Sequence, residues 1–232
     1  MATFVLIHGA GDVGWHFHLV AAELRARGHD VVAPDLPADD ESLTLSDYAD
    51  AVAEAVGDRR DLIVVGHSFG AFTAPLVTER VPVDVLVLLA GMIPAPGEPP
   101  ERWWEDLGYE SAVAEQAERD GGLTGSADPF VGFYHDVPRE LAAQALSRER
   151  AHPSRTAMVE PWPMTAWPDV STRFVLCRQD RVLPAEFLRG VVRERLGIAP
   201  DEIDGSHCVA LSRPAALVDV LERCAATASA PS

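Results

Sequence analysis

Gly66-His67-Ser68-Phe69-Gly70 is a G-x-S-x-G pentapeptide set between an apolar run, residues 61–65, and a helix-compatible stretch, residues 71–80. A strand that turns sharply into a helix forces its central residue into strained backbone geometry. Glycines flank that residue because side chains there would collide with the adjoining strand and helix. The pattern reads as a nucleophile elbow, with Ser68 standing exposed at the carboxyl end of a strand. A serine hydroxyl is a weak nucleophile and needs a base within hydrogen-bond reach. His207, which follows residues 202–206 and precedes the helix start Ser212-Arg213-Pro214, is the candidate. Asp180, just beyond the apolar run 173–177, is the candidate acid that would hold the imidazole in the right tautomer and stabilise the imidazolium. The three occur in the order Ser, Asp, His, unlike the chymotrypsin and subtilisin orders.

Charge that develops on a substrate oxygen needs donors. His8-Gly9-Ala10-Gly11 follows the first apolar run, and its small residues permit close backbone approach. The N–H groups of Ala10 and of Phe69, at the start of the elbow helix, would form an oxyanion hole. Other histidines suit the base role less well: His67 is packed within the elbow, His29 falls in a turn, and His16 and His18 fall on the first helix. Cys177, Cys208 and Cys224 lack metal-ligand spacing, and a separate cysteine nucleophile at Cys208 would need its own base.

These groups require a scaffold that delivers them to one place. Short apolar runs near residues 3–8, 30–33, 61–66, 83–90, 172–177 and 199–203 alternate with amphipathic stretches near 15–27, 44–57, 69–80, 184–196 and 213–225. That rhythm predicts an α/β fold with a doubly wound, mostly parallel six-stranded sheet. Residues 83–90, apolar apart from Asp84, read as a strand covered on both faces. The rhythm breaks between Gly91 and Asp169. The expected organisation is a core of residues 1–93 and 170–232 with a lid, residues 94–169, inserted into it. Within the lid, 101–120 and 138–150 have helical composition, while 121–122 and 126–129 read as turns. Residues 225–232 read as a frayed tail.

The lid carries four of the five tryptophans, Trp103, Trp104, Trp162 and Trp167, together with Phe130, Phe133 and Tyr134. Each could anchor the lid or face a substrate, because a lid over the carboxyl ends of parallel strands lies where open α/β sheets bind ligands. Trp15, Trp104, Phe133, Tyr134, His135 and Trp162 are the candidate substrate contacts, His135 being equally readable as a satisfied lid histidine.

At 232 residues and 47% hydrophobic content, the chain can bury the core of one domain. A formal charge of -17, with all 19 basic residues arginine, argues against nucleic acid and anionic membranes as partners and excludes lysine chemistry. The amino terminus reads as a first core strand and not a signal peptide, no apolar stretch reaches the roughly 18 residues of a membrane span, and three cysteines suit reduced thiols in the cytoplasm. No metal or cofactor is called for. A small-molecule substrate is the expected partner, with the chain a monomer or homodimer.

With these residues in hand, the chain resembles the α/β-hydrolases, in particular the group of plant methyl esterases and hydroxynitrile lyases with their bacterial esterase relatives. The resemblance runs nearly end to end. It rests on His8-Gly9-Ala10 with Gly14-Trp15, on Arg27-Gly28-His29, on the elbow, on Cys177 to Pro184, and on Gly205-Ser206-His207-Cys208 with the Ser212-Arg213-Pro214 tail. It implies the α/β-hydrolase fold, the triad Ser68, Asp180 and His207, and an oxyanion hole at Ala10 and Phe69. Some relatives carry the acid after the preceding strand, where this chain has Gly91-Met92-Ile93 and no carboxylate. Hydroxynitrile lyases of the group have a lysine after the histidine and a threonine in the first loop; here Cys208 and Gly9 stand there, which disfavours lyase activity. The Asp nucleophile of epoxide hydrolases and haloalkane dehalogenases is replaced by Ser68. Three functions are compatible with this reading. They are a cofactor-independent hydrolase of an ester, thioester or lactone; a tailoring enzyme that cyclises, cleaves or opens an aromatic metabolite; and a non-catalytic small-molecule binder on the same scaffold.

Overall fold

The computed structural model describes residues 1–150 and 153–227. Six strands form one sheet: β1 (Thr3–Ile7), β2 (Asp30–Val32), β3 (Leu62–His67), β4 (Val85–Leu89), β5 (Ser171–Cys177) and β6 (Asp201–Ile203). Their order is β2-β1-β3-β4-β5-β6 and every pairing is parallel. The apolar runs expected near 83–90 and 199–203 supply shorter strands, because pairing begins at Ile63↔Val85 and at Val175↔Asp201.

The eleven helices of the described residues are α1 (His18–Ala26), α2 (Leu45–Val56), α3 (Gly70–Val77), α4 (Trp103–Asp106), α5 (Tyr109–Asp120), α6 (Pro129–Gly132), α7 (Arg139–Leu146), α8 (Arg155–Val159), α9 (Ala185–Leu196), α10 (Val209–Ser212) and α11 (Pro214–Thr227). Because strand side chains alternate faces, the sheet feeds two cores. Val5, Ile7, Val64, Leu86, Leu88 and Phe174 pack with α2, α3 and α9 on one side; Phe4, Leu6, Val65, Val87, Leu89 and Val175 pack with α1 and α11 on the other. Crossovers thus leave the sheet in both directions, and the direction changes between β1 and β3. At such a switch point the loops after the two strands part company and open a crevice at their carboxyl ends. The loop 8–12 and the elbow border that crevice.

Residues 90–170, between the paired strands β4 and β5, hold helices α4 to α8 and no strand among the described residues. The helix expected over 101–120 is broken: a 3-10 turn, Pro100–Arg102, leads into α4, and Gly108 in left-handed conformation (φ +67°) separates α4 from α5. The helix expected over 138–150 ends at Leu146. Ala225 to Thr227 continue α11 where fraying was expected, and residues 228–232 of that tail lie outside the described residues.

Indoles fasten this segment to the core. Trp103 is fully buried and its Nε1 donates to the Ile93 carbonyl at 2.9 Å; Trp162, 1% exposed, donates to the Phe72 carbonyl at 2.9 Å; Trp167 donates to Thr172 Oγ1 at 3.0 Å. Each ring hides a large apolar area and satisfies its one polar atom, which is the condition for a tryptophan to be buried at a net gain. A forked ion pair adds to the fastening: Arg195 of α9 donates to both Glu98 carboxylate oxygens at 2.5 and 2.6 Å, with side chains only 12% and 7% exposed. Removing one partner of a buried pair strands the other charge, at a cost of about 3–5 kcal/mol. Arg195→Met is therefore expected to destabilise the chain by about that much, read as a lowered midpoint in urea unfolding; a change below about 1 kcal/mol would contradict the burial of the pair.

Candidate active site

The elbow is built by close backbone packing. Ser68 adopts φ +50°, a conformation L side chains rarely take, at the step from β3 into α3. A Cβ on Gly66 would stand 2.7 Å from Ala74 Cβ and 2.8 Å from the Gly70 carbonyl, and one on Gly70 would stand 2.5 Å from the His8 carbonyl. Strand, helix and first loop can approach this closely only because neither residue has a side chain. The Ser68 carbonyl accepts from Met92 N–H at 3.0 Å and the Ser68 N–H donates to the Leu89 carbonyl at 3.1 Å, so the strained turn is held from the neighbouring strand's end.

His207 and Asp180 are brought together from loops after β6 and β5. His207 Nδ1 lies 2.7 Å from Asp180 Oδ2, with both side chains essentially inaccessible, 3% and 0% exposed. A carboxylate only accepts, so Nδ1 carries the hydrogen and Nε2 is the ring's free lone pair. Asp180 is itself fixed, because its Oδ1 accepts from the Val182 and Leu183 amides at 2.8 and 2.9 Å. Burial by itself would lower the His207 pKa, but the Asp180 charge and hydrogen bond, with a smaller contribution from Asp12, outweigh it and raise the pKa above the ordinary 6.5.

Ser68, His207, Ala10 and Phe69 line one cavity of about 590 Å³. Phe69 precedes α3, where amides have no acceptor within the helix, and Ala10 sits on the loop after β1. That loop is pinned by His8: the Leu36 N–H donates to His8 Nε2 at 3.0 Å, which leaves Nδ1 to donate to the Gly9 carbonyl at 2.9 Å. Desolvation lowers the His8 pKa, so the ring stays neutral in this bracing role.

The candidate substrate contacts divide. Trp104, Phe133 and Tyr134 line the cavity, Phe133 also lying edge-on to the His207 ring at 5.8 Å. Trp15, His135 and Trp162 do not line it. Trp15 is sandwiched between the His18 ring, stacked at 4.2 Å, and the Arg148 guanidinium, also at 4.2 Å. His135 turns the other way, placing Nε2 2.9 Å from the Gln179 carbonyl at the edge of a separate polar cleft. Trp162 is spent on the anchor to Phe72 described above. Cys208 lines the cavity, but burial pushes its thiol well above the ordinary range, so it is no ready thiolate.

Two residues not singled out in the sequence belong to the site. Asp12, next after the small-residue loop, lines the cavity with its carboxylate 3.1 Å from His16 Nε2 and 3.7 Å from His67 Nδ1. Its position directly beyond Gly9-Ala10-Gly11 was the available signal. Asp136, beside His135, accepts from the Ser206 N–H at 3.0 Å and so steadies the loop that carries His207; nothing in the sequence distinguishes it from an ordinary surface acid.

A parallel sheet whose elbow serine, buried histidine–aspartate pair and first-loop amides border one crevice defines the class: the chain belongs to the alpha/beta hydrolase family, which it matches over residues 4–220. Among curated proteins it is similar to norfluorocurarine synthase 1 of Strychnos nux-vomica, 26% identical over 259 residues with 96% of this chain and 94% of that protein covered. It is likewise similar to methylesterase 7 of Arabidopsis thaliana, 27% identical over 244 residues with 94% of each covered. Among solved structures, polyneuridine aldehyde esterase superposes with a TM-score of 0.77 at 20% identity, covering 96% of this chain and 98% of that one, a likeness of fold. No helix of the described residues is long and apolar enough to cross a membrane.

Proposed function

We propose that this chain is a cofactor-independent hydrolase that cleaves a carboxylic ester, thioester or lactone of a small apolar or aromatic molecule, working in the cytoplasm where its three thiols stay reduced. The observation that carries the reading is the 2.7 Å contact between His207 Nδ1 and Asp180 Oδ2 at the wall of the cavity that also holds Ser68. In this mechanism Ser68 Oγ attacks the carbonyl carbon while its proton passes to His207 Nε2. The carbonyl oxygen takes the developing charge between the amides of Ala10 and Phe69. His207 then hands its proton to the leaving alkoxide, and an acyl-Ser68 ester remains. Water deprotonated by the same nitrogen releases the acid. The esterase name of the methylesterase relative supports this reaction class.

Incubation of the folded protein with a fluorophosphonate is expected to add one phosphonyl group, mapped to Ser68 by peptide mass spectrometry; a folded chain that takes no label would overturn the reading. A second reading has one observation of its own, the relative that bears a synthase name. A tailoring enzyme acting on an aromatic metabolite would use the same apolar cavity, and it wins if short p-nitrophenyl esters are inert while polycyclic substrates are converted.

A further inference from the structure

A carboxylate beside the hydrolytic groups is out of keeping with the rest of the site. Asp12 shares a wall with Ser68: a Cβ built on Gly9 would lie 3.1 Å from Ser68 Cβ and 3.3 Å from Asp12 Oδ2. The side chain is 17% exposed, enough to face the cavity and too little for water to screen it fully. Its nearest ring neighbours are His16 and His67. His16 Nδ1 lies 3.1 Å from both the Val13 N–H and the Val13 carbonyl, and its Nε2 stands 3.1 Å from Asp12 Oδ1. His67 Nε2 faces the His207 carbonyl at 3.0 Å and must carry the hydrogen there, since a carbonyl only accepts. Its Nδ1 stands 3.7 Å from Asp12 Oδ2. Burial keeps His67 below its ordinary pKa and therefore neutral near pH 7. Burial would also raise Asp12, but the surrounding imidazoles more than offset it and hold the group below the usual carboxylate value. Arg150, also on the cavity wall, is engaged by Asp39 and Asp35.

The cavity thus combines an ionised carboxylate with the aromatic side chains of Phe69, Trp104, Phe133 and Tyr134. A carboxylate among aromatic rings is the chemistry that receives an ammonium group: the charges attract in a medium of low dielectric, and the ring faces take up a cation directly. The same charge repels a carboxylate, including the acid that ester hydrolysis generates. We infer that Asp12 is a specificity-determining residue, selecting esters that carry a positively charged amine or quaternary ammonium group over neutral isosteres and disfavouring anionic ones. The inference rests on the hydrolase reading above and deepens it by naming the substrate's charge.

Two isosteric pairs test it, one for each half of an ester. Acetylcholine against 3,3-dimethylbutyl acetate places the charge in the alcohol. The p-nitrophenyl esters of 4-(trimethylammonio)butanoate and 5,5-dimethylhexanoate place it in the acyl group. In at least one pair the cation is expected to lead by about 10- to 100-fold in kcat/KM, a difference of about 1.4–2.7 kcal/mol, and Asp12→Asn is expected to erase most of that ratio. The ratio is internal to each enzyme, so a general loss of rate in the variant does not obscure it. Binding of 3-hydroxyphenyltrimethylammonium against 3-tert-butylphenol, by calorimetry on the wild-type protein, gives the same comparison without turnover. Equal rates and equal affinities within the pairs, or a cation preference that survives in Asp12→Asn, overturns the inference. Fluorophosphonate labelling of Ser68 with neutral esters turning over would then leave the hydrolase reading standing, whereas absence of labelling with a retained cation preference in binding would sink that reading, and with it the selection among esters, leaving only a cation site at Asp12.

Discussion

His207→Ala is expected to lower ester kcat by about 10⁴- to 10⁶-fold while leaving the fold intact. The magnitude follows from what the residue supplies. With Nδ1 committed to Asp180 at 2.7 Å, Nε2 is the one ring atom left to take the Ser68 proton in the proposed mechanism, where it would serve again when water attacks the acyl group. Loss of that nitrogen removes the base from both halves of the reaction, so what survives is whatever the oxyanion donors and binding provide, typically 10³–10⁴ over water. His207→Ala leaves the buried Asp180 Oδ2 without its donor, a cost of about 1–3 kcal/mol, so circular dichroism should stay native while the unfolding midpoint falls moderately. Retention of a tenth or more of the wild-type rate would remove His207 from the mechanism.

Asp180→Asn carries the second large effect, about 10⁴-fold in kcat, and here the structure says why an isosteric change is so damaging. The Val182 and Leu183 amides both donate to Oδ1 and will hold the amide oxygen of asparagine in that place. The NH₂ must then occupy the Oδ2 position and donate to His207 Nδ1. That selects the tautomer with hydrogen on Nε2, the wrong end to receive a proton from Ser68. The pH profile gives an independent check on the same contact. The Asp180 charge raises the His207 pKa against the opposing effect of burial, so the imidazole keeps its proton to a higher pH than a free one. The active base form is therefore lost as pH falls through a point above 6.5, and the acid limb of kcat/KM in the wild type should inflect there. In Asp180→Asn the inflection should move down. An unchanged limb would mean that the titration belongs to another group.

Legibility in the sequence followed the physics of each element. Central parallel strands are apolar on both faces, so β3 and β4 stand out as short unbroken runs, and the elbow between β3 and α3 is marked by two glycines whose side chains would strike backbone. Strand ends were less legible because pairing partners, set by tertiary register, decide where a ladder begins; nothing local to residues 83–84 says that β4 starts at Val85. In the segment between β4 and β5, composition suggested one helix over 101–120, yet Gly108 in the left-handed conformation divides it. The same limit governs the aromatic residues. Trp104 and Trp162 have identical side chains, and only the surrounding fold sends one to the cavity and the other to the Phe72 carbonyl. Asp12 is illegible in the sequence because an aspartate after glycine is ordinary turn chemistry; its significance comes from its place on the cavity wall beside Ser68.

The indole anchors have a consequence for how this scaffold could be given new substrates. Trp103 and Trp162 each hide a whole ring in the main core and end on a backbone carbonyl of that core, Ile93 and Phe72. The segment that lines the cavity is consequently bolted to the core at these two points. A graft that exchanges residues 94–169 for a foreign insertion should keep the host folded only if those two rings, or equals in size with a donor at the same point, travel with it; recombination confined to the stretch between them can reshape the chamber while the bolts stay in place.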